Sequence, residues 1–314
     1  MKLLSQTSTV VLPHQSHVKF LLDGGIETTL IYHDKLVLPH FAAFVLLETP
    51  EGTAVLRRYF QRYLDLAQAR GLGFVLESPT WRASSDWGAL LGYDTHRLAE
   101  VNAKAIELML DIRSGAEPSE TPIAVSGCIG PRGDGYVVGR EMTADAAEAY
   151  HRPQVEAVKA AGAEMCTALT MTYVAEAIGI ARAARSVALP VVISFTTETD
   201  GNLPTGQSLR DAIAETDAAT GKAPIYYMVN CAHPDHFRDV LEGEWLERIG
   251  GIRSNASRMS HAELDQAEEL DDGDPHEFGR IHADLAAILP GVRALGGCCG
   301  TDHRHVSAAA RAIS

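Results

Sequence analysis

Residues 225–232, IYYMVNCA, form an apolar run that leads directly into an asparagine and a cysteine. Apolar character without polar alternation predicts a strand buried on both faces, as in a parallel sheet. Seven other short runs share this character, and each ends in glycine or small polar residues: KFLLDGG (19–25), GFVLESP (73–79), IAVSGCI (123–129), EMCTALT (164–170), VVISFTT (191–197), IGGIRSNAS (249–257) and VRALGGCCG (292–300).

Amphipathic stretches separate these runs. Residues 49–71 carry apolar side chains at helical spacing before a glycine, and residues 233–249 are predicted to form a helix in the same way. Eight strands that alternate with eight helices predict an α/β fold, a (β/α)8 TIM barrel with one domain over residues 1–314. The acidic stretch 262–275 is interpreted as a solvated helix end and loop.

Composition excludes several classes of partner. The formal net charge of −14 disfavours nucleic acid and anionic membrane surfaces, because both require a basic footprint. Residues 1–15 lack the apolar core of a signal peptide, and no stretch is apolar enough to span a bilayer. Five cysteines are too few for a disulfide framework, so we expect a cytoplasmic protein with reduced thiols. The sequence leaves a homo-oligomer open.

Three cysteines fall where barrel enzymes carry their chemistry, just after strands. Cys231 follows the sixth predicted strand, and Cys298 and Cys299 follow the eighth. Adjacent cysteines rarely bridge each other, so this pair is two buried hydrophobes, a redox pair or two ligands of a soft metal. With Cys231 it makes a three-thiolate set for zinc that leaves one tetrahedral position open, and placement at one rim favours this interpretation. A rival set combines Cys231 with His233 and His236.

Polar residues also end other predicted strands at this rim. They are Asp23 with Gly24 and Gly25, Glu77, Thr170 and Asn230. No lysine ends a strand, which disfavours a barrel aldolase. Residues 127–135 are interpreted as a turn and not as a phosphate cradle, which disfavours a sugar-phosphate isomerase.

Six motifs together resemble the homocysteine S-methyltransferase family along nearly the whole chain. They are LLDGGIETTL (21–30), VSGCIGPRGDGY (125–136), TGQSLRDAI (205–213), VNCAHP (229–234), GGIRSNAS (250–257) and LGGCCGTDHRHV (295–306). The resemblance implies Zn²⁺ held by Cys231, Cys298 and Cys299. It also implies that Asp23, with Gly24 and Gly25, holds the amino-acid part of homocysteine, so that Asp23 positions the acceptor for catalysis.

The chain departs from that family pattern at residues that matter for the acceptor. Leu169 precedes Thr170 where the family usually has a glutamate that helps to bind the homocysteine amine, and Thr29 replaces another usual glutamate. Glu77 and Trp81 stand in LESPTWRAS (76–84). Either Glu77 takes over the ammonium contact, or the acceptor thiol is not homocysteine.

Both of these residues have a plainer interpretation as well. Glu77 would then only form an ion pair with Arg82 or with another arginine at the rim. Trp81 or Trp87 could stack on a cationic methyl donor, although packing is the commoner role for each.

The predicted activity is zinc-dependent transfer of a methyl group from S-methylmethionine, S-adenosylmethionine or betaine to the thiol of homocysteine, which forms methionine. Both substrates are small molecules. A different thiol acceptor stays open as an alternative, and so does a thiolate zinc-binding barrel without catalytic activity.

Overall fold

The computed structural model describes residues 10–117 and 120–313, and within these ranges eight parallel strands close into a barrel in chain order. The strands are β1 (Phe20–Leu21), β2 (Gly73–Glu77), β3 (Ile123–Ile129), β4 (Met165–Met171), β5 (Val191–Phe195), β6 (Pro224–Asn230), β7 (Ile249–Ser254) and β8 (Ala294–Gly297). Closure is made at Phe20, which is paired with Gly73 of β2 and with Ala294 of β8. The predicted single-domain (β/α)8 barrel is confirmed.

The strands are buried on both faces, which explains their uninterrupted apolar sequences. Every residue of β2, β4, β5, β7 and β8 is buried. One apolar cluster includes Phe20, Val75, Met165 and Val192, which lie in the first halves or at the centres of their strands. Side chains therefore fill the barrel interior below its carboxyl-terminal end, where the polar residues lie.

Helices cover the outside of the barrel. The longer ones are Pro50–Ala69, Thr95–Ser114, Ala144–Ala160, Val174–Ser186, Leu209–Thr220, Pro275–Ile288 and His303–Ile313. Shorter helices are Ile26–Thr28, Ser85–Leu90, Pro234–Phe237 and His261–Gln266. Among the described residues, none of these helices has both the length and the apolar character needed to cross a bilayer. Residues 1–9, on which the expectation about a signal peptide partly depends, lie outside the described ranges.

The predicted helix over residues 233–249 is wrong. The chain forms one α-helical turn at Pro234–Phe237 and then two 3₁₀ segments, Arg238–Val240 and Glu244–Arg248. Gly243 lies between the two 3₁₀ segments with a φ of +98°, which no right-handed helix can include. The amphipathic spacing is real, but the backbone turns at the glycine.

Candidate active site

The three predicted zinc ligands meet at the carboxyl-terminal end of the barrel. The sulfur atoms of Cys231, Cys298 and Cys299 all lie within 4.8 Å of one another, and those of Cys231 and Cys299 are 3.8 Å apart. Thiolates at tetrahedral positions about 2.3 Å from a zinc ion would be separated by about 3.8 Å. The donor set and its spacing therefore fit a tetrahedral zinc ion with one further position.

The rival set with histidines does not form. His233 uses its Nδ1 to accept a hydrogen bond from the Asp235 amide at 3.1 Å, as the cap of a short helix. His236 lies 2.8 Å from the carbonyl oxygen of Arg258 through its Nε2 atom. The cluster found among the described residues contains the three cysteines and neither of these histidines. Cys166 is buried within β4, in agreement with its interpretation as a core residue.

Close backbone contacts hold the cysteines in place. Cys231 leaves β6 with a φ of +56°, and its amide donates to the Arg253 carbonyl oxygen at 3.2 Å. A Cβ atom on Gly25 would lie 2.5 Å from the carbonyl oxygen of Cys298, so only glycine permits this approach. The glycine motif after β1 thus supports the cysteine pair after β8.

Polar side chains contact two of the sulfur atoms. The Tyr136 hydroxyl donates to the Cys299 sulfur at 3.2 Å, and the tyrosine ring stacks on His261 with centroids 4.1 Å apart. The Asn230 amide donates to the Cys298 sulfur at 3.9 Å. Hydrogen bonds from the other two cysteines, together with the charge of Arg253, hold the pKa of Cys298 well below its usual value. The cluster therefore favours a thiolate at Cys298.

A buried ion-pair network lies beside the sulfur cluster. The two terminal nitrogens of Arg253 contact Glu77 Oε2 and Asp23 Oδ1, each at 2.7 Å. Arg253 also donates to the Gly24 carbonyl oxygen at 3.0 Å, and Tyr59 donates to Asp23 Oδ2 at 2.9 Å. Burial raises the pKa of both carboxyl groups, while the charge of Arg253 opposes this shift. Glu77 is thus paired with an arginine at the rim, the plainer of its two expected roles.

A cavity of about 380 Å³ opens over these groups. Its lining includes nearly all residues predicted for the site, namely Asp23, Gly25, Glu77, Trp81, Thr170, Asn230, Cys231, Cys298 and Cys299. Gly24 is not part of this lining, and its carbonyl oxygen is bound by Tyr59 and Arg253. The acidic stretch 262–275 does form a helix end and loop, but Asp265 and Glu269 also line the cavity.

Glu27 and Arg82 also line this cavity, and neither was predicted to belong to the site. Burial raises the pKa of Glu27 to about 7, and the charge on the Cys298 sulfur acts in the same direction. Burial lowers the pKa of Arg82 to about 10. Its guanidinium carbon lies over the rings of Trp81 and Trp87, 3.9 and 3.8 Å from their centroids. Arg82 therefore covers one face of the Trp81 ring and one face of the Trp87 ring, the two rings that were expected as possible contacts of a cationic methyl donor.

Comparisons relate the chain to known methyltransferases. The family model for homocysteine S-methyltransferase matches residues 20–313. A homocysteine S-methyltransferase of Escherichia coli strain K12 is 26% identical over 305 residues, which cover 92% of this chain and 93% of the relative. The metallated crystal form of the homocysteine methyltransferase MmuM from Escherichia coli superimposes with a TM-score of 0.72 at 22% identity, covering 94% of this chain and 96% of that one.

The closed barrel and the family match define a barrel methyltransferase, and its three-cysteine cluster can hold a metal ion. The family match over residues 20–313 shows that the chain belongs to the homocysteine S-methyltransferase family.

Proposed function

We propose that the protein catalyses zinc-dependent methyl transfer from an activated donor to the thiol of homocysteine, which forms methionine. The observation that carries this proposal is the position of the sulfur cluster, where Cys231, Cys298 and Cys299 line the cavity that would admit the substrates. The family match and the activity named for the Escherichia coli relative support methyl transfer to homocysteine. S-methylmethionine, S-adenosylmethionine and betaine are the donor candidates.

Zinc held by the three thiolates would leave one tetrahedral position for a substrate sulfur and would lower the pKa of that thiol. The thiol proton is lost to solvent. The sulfur then forms a bond to the methyl carbon as the donor's bond to that carbon breaks, so the leaving group departs with the bonding electron pair. The chain's own part is to bind both substrates, align them and exclude water.

Specific side chains are proposed to orient these substrates. Asp23 positions the acceptor, and the ion pair with Arg253 fixes the direction of its carboxylate. Asn230 is itself fixed, because its Oδ1 accepts from the Thr170 amide at 2.9 Å and from the Ser194 hydroxyl at 2.6 Å. Gly25, Glu77 and Trp81 complete the proposed contact surface through their places in the cavity lining.

A thiol other than homocysteine is a second candidate acceptor. Leu169 lines the cavity where the resemblance implies a glutamate, and Asp23 and Glu77 are both engaged by Arg253. We further propose a cytoplasmic location, because all five cysteines are free and a cluster of thiolates requires a reducing compartment.

The proposal is tested by assaying methionine formation from homocysteine with each of the three donors, with and without a zinc chelator. Cys298→Ala should abolish turnover and zinc retention, because two thiolates hold zinc poorly. Cys166→Ala is the matched control, since Cys166 is buried in β4 outside the cluster. Full activity of Cys298→Ala, or of chelated enzyme, would contradict the proposal.

A further inference from the structure

Seven carboxyl groups line the cavity against two arginines, and Glu27 is one of those without a cation in contact among the described residues. Arg253 forms ion pairs with both Asp23 and Glu77, so these three groups together carry one net negative charge. In the part of the chain that the structure describes, the carboxylate of Glu27 forms no hydrogen bond or ion pair with another side chain, although it lines the same cavity. Glu27 is only partly buried and has a hydrogen bond from its own backbone, so its carboxylate faces the cavity with its charge available to a cationic ligand.

Arg82 offers the opposite charge with unused donors. The residue is only 4% exposed, yet it lines the cavity. Within the described residues, its one hydrogen bond runs from Nη1 to the Gly133 carbonyl oxygen at 2.9 Å, while its buried Nε has no partner. The guanidinium carbon lies over the rings of both Trp81 and Trp87, and these contacts restrict its orientation. Arg82 is therefore a pre-oriented fork for a planar anion such as a carboxylate.

Glu27 connects this fork to the sulfur cluster. The Gly300 amide, next to the cysteine pair, donates to Thr28 Oγ1 at 3.0 Å, and a Cβ on Gly25 would meet the Cys298 carbonyl oxygen. On the other side, the charges of Asp134 and then of Glu27 act on Arg82. A thiol, a cation-binding carboxylate and an anion-binding guanidinium thus line one cavity. An amino acid with a thiol side chain presents the complementary three groups.

We propose that Glu27 binds the α-ammonium group and Arg82 the α-carboxylate of the amino-acid acceptor, with its thiol at the cysteine cluster. This inference rests on the proposed function and assigns the acceptor class within it. Glu27 would supply the carboxylate that the chain lacks at Leu169. Because residues 25–28 contact the backbone of Cys298 and Gly300, Glu27 lies toward the sulfur end of the cavity, which favours the acceptor over the methyl donor.

The experiment compares three thiols that differ by one charged group each. Homocysteine carries both groups, 4-mercaptobutanoate lacks the ammonium, and 3-mercaptopropylamine lacks the carboxylate. For the wild-type enzyme we expect kcat/KM to favour homocysteine over each analogue by on the order of 10- to 100-fold, as for a lost charge-assisted hydrogen bond. Glu27→Gln should lose only the preference for homocysteine over 4-mercaptobutanoate. Arg82→Gln should lose only the preference for homocysteine over 3-mercaptopropylamine, and the change should appear in KM rather than in kcat.

Controls separate this inference from misfolding and from the proposed function. Glu268→Gln, at an exposed glutamate outside the cavity lining, should keep both preferences. If Arg82→Gln fails to fold, Arg82→Lys, which keeps the charge but not the fork, should lose part of the same preference. Calorimetry on zinc-depleted protein should show that Glu27→Gln weakens binding of methionine but not of 4-(methylthio)butanoate.

Two outcomes would overturn the inference while the proposed function stands. One is a Glu27→Gln enzyme that keeps both preferences, which would make Glu27 a structural residue. The other is an unchanged acceptor preference with a raised KM for the donor, which would assign the pair to the donor. If the wild-type protein methylates no thiol, the proposed function fails, and the calorimetric comparison alone decides the role of Glu27.

Discussion

Removing the cation of the buried ion-pair network should destabilise the protein in a pH-dependent way. Arg253→Met keeps much of the side-chain volume but leaves Asp23 and Glu77 without the partner that each contacts at 2.7 Å. Breaking a buried pair by removing one partner costs about 3–5 kcal/mol. We expect a loss of unfolding free energy of this order at neutral pH, measured by urea denaturation.

The sign of the pH dependence follows from the two carboxyl groups. Burial already raises the pKa of Asp23 and of Glu77, and without Arg253 nothing comparable opposes this shift. A carboxyl group whose pKa is raised on folding stabilises the protein below its unfolded pKa and loses that contribution as pH rises toward the folded pKa. Between pH 5 and pH 8 the variant should therefore lose stability relative to wild type, because its buried carboxyl groups keep protons that the unfolded chain has released.

Two results would refute this reasoning. One is a loss in Arg253→Met that is equal at pH 5 and pH 8, because an uncompensated carboxylate must respond to protonation. The other is a double variant, Arg253→Met with Glu77→Gln, that is no more stable at pH 8 than Arg253→Met alone. In the Arg253→Met variant both carboxylates lack their cation. Glu77→Gln removes one of these two negative charges, so it should restore part of the lost stability.

Two further predictions concern the cysteine cluster. Gly25→Ala should lower zinc affinity at least tenfold, because the new Cβ would displace the Cys298 backbone, while circular dichroism should show that the fold is retained. Gly139→Ala, where a Cβ meets open space, is the control and should change neither the zinc affinity nor the fold. Tyr136→Phe removes the hydrogen bond to the Cys299 sulfur and should weaken zinc binding about fivefold in a competition titration with a chromophoric chelator. Unchanged zinc affinity in Gly25→Ala would mean that the glycine has no part in placing the cysteines.

The barrel could be predicted from local sequence because each strand carries its own signal. β3 occupies the predicted residues 123–129 without change, since a run buried on both faces must be apolar throughout. Residues 233–249 failed for an equally local reason. Their apolar spacing favours a helix, but Gly243 adopts a conformation that spacing alone does not reveal.

The cysteine cluster was also predictable, because all three residues directly follow strands and strand ends meet at one rim. The charge network was not. Arg253 is the one charged residue of β7, a run that was interpreted only as a buried strand, and its partner Glu77 is 176 residues away. Glu27 and Arg82 escaped for a related reason. No neighbouring residue in the sequence marks either one as part of the site, and only closure of the barrel places both against the same cavity.

The most direct test of the account is the metal coordination of protein purified under reducing conditions. Zinc X-ray absorption should show one zinc per chain with three sulfur ligands at about 2.3 Å, and a fourth sulfur after homocysteine is added. Protein that retains no zinc, or zinc bound by fewer than three sulfurs, would contradict the central claim that Cys231, Cys298 and Cys299 form the catalytic metal site.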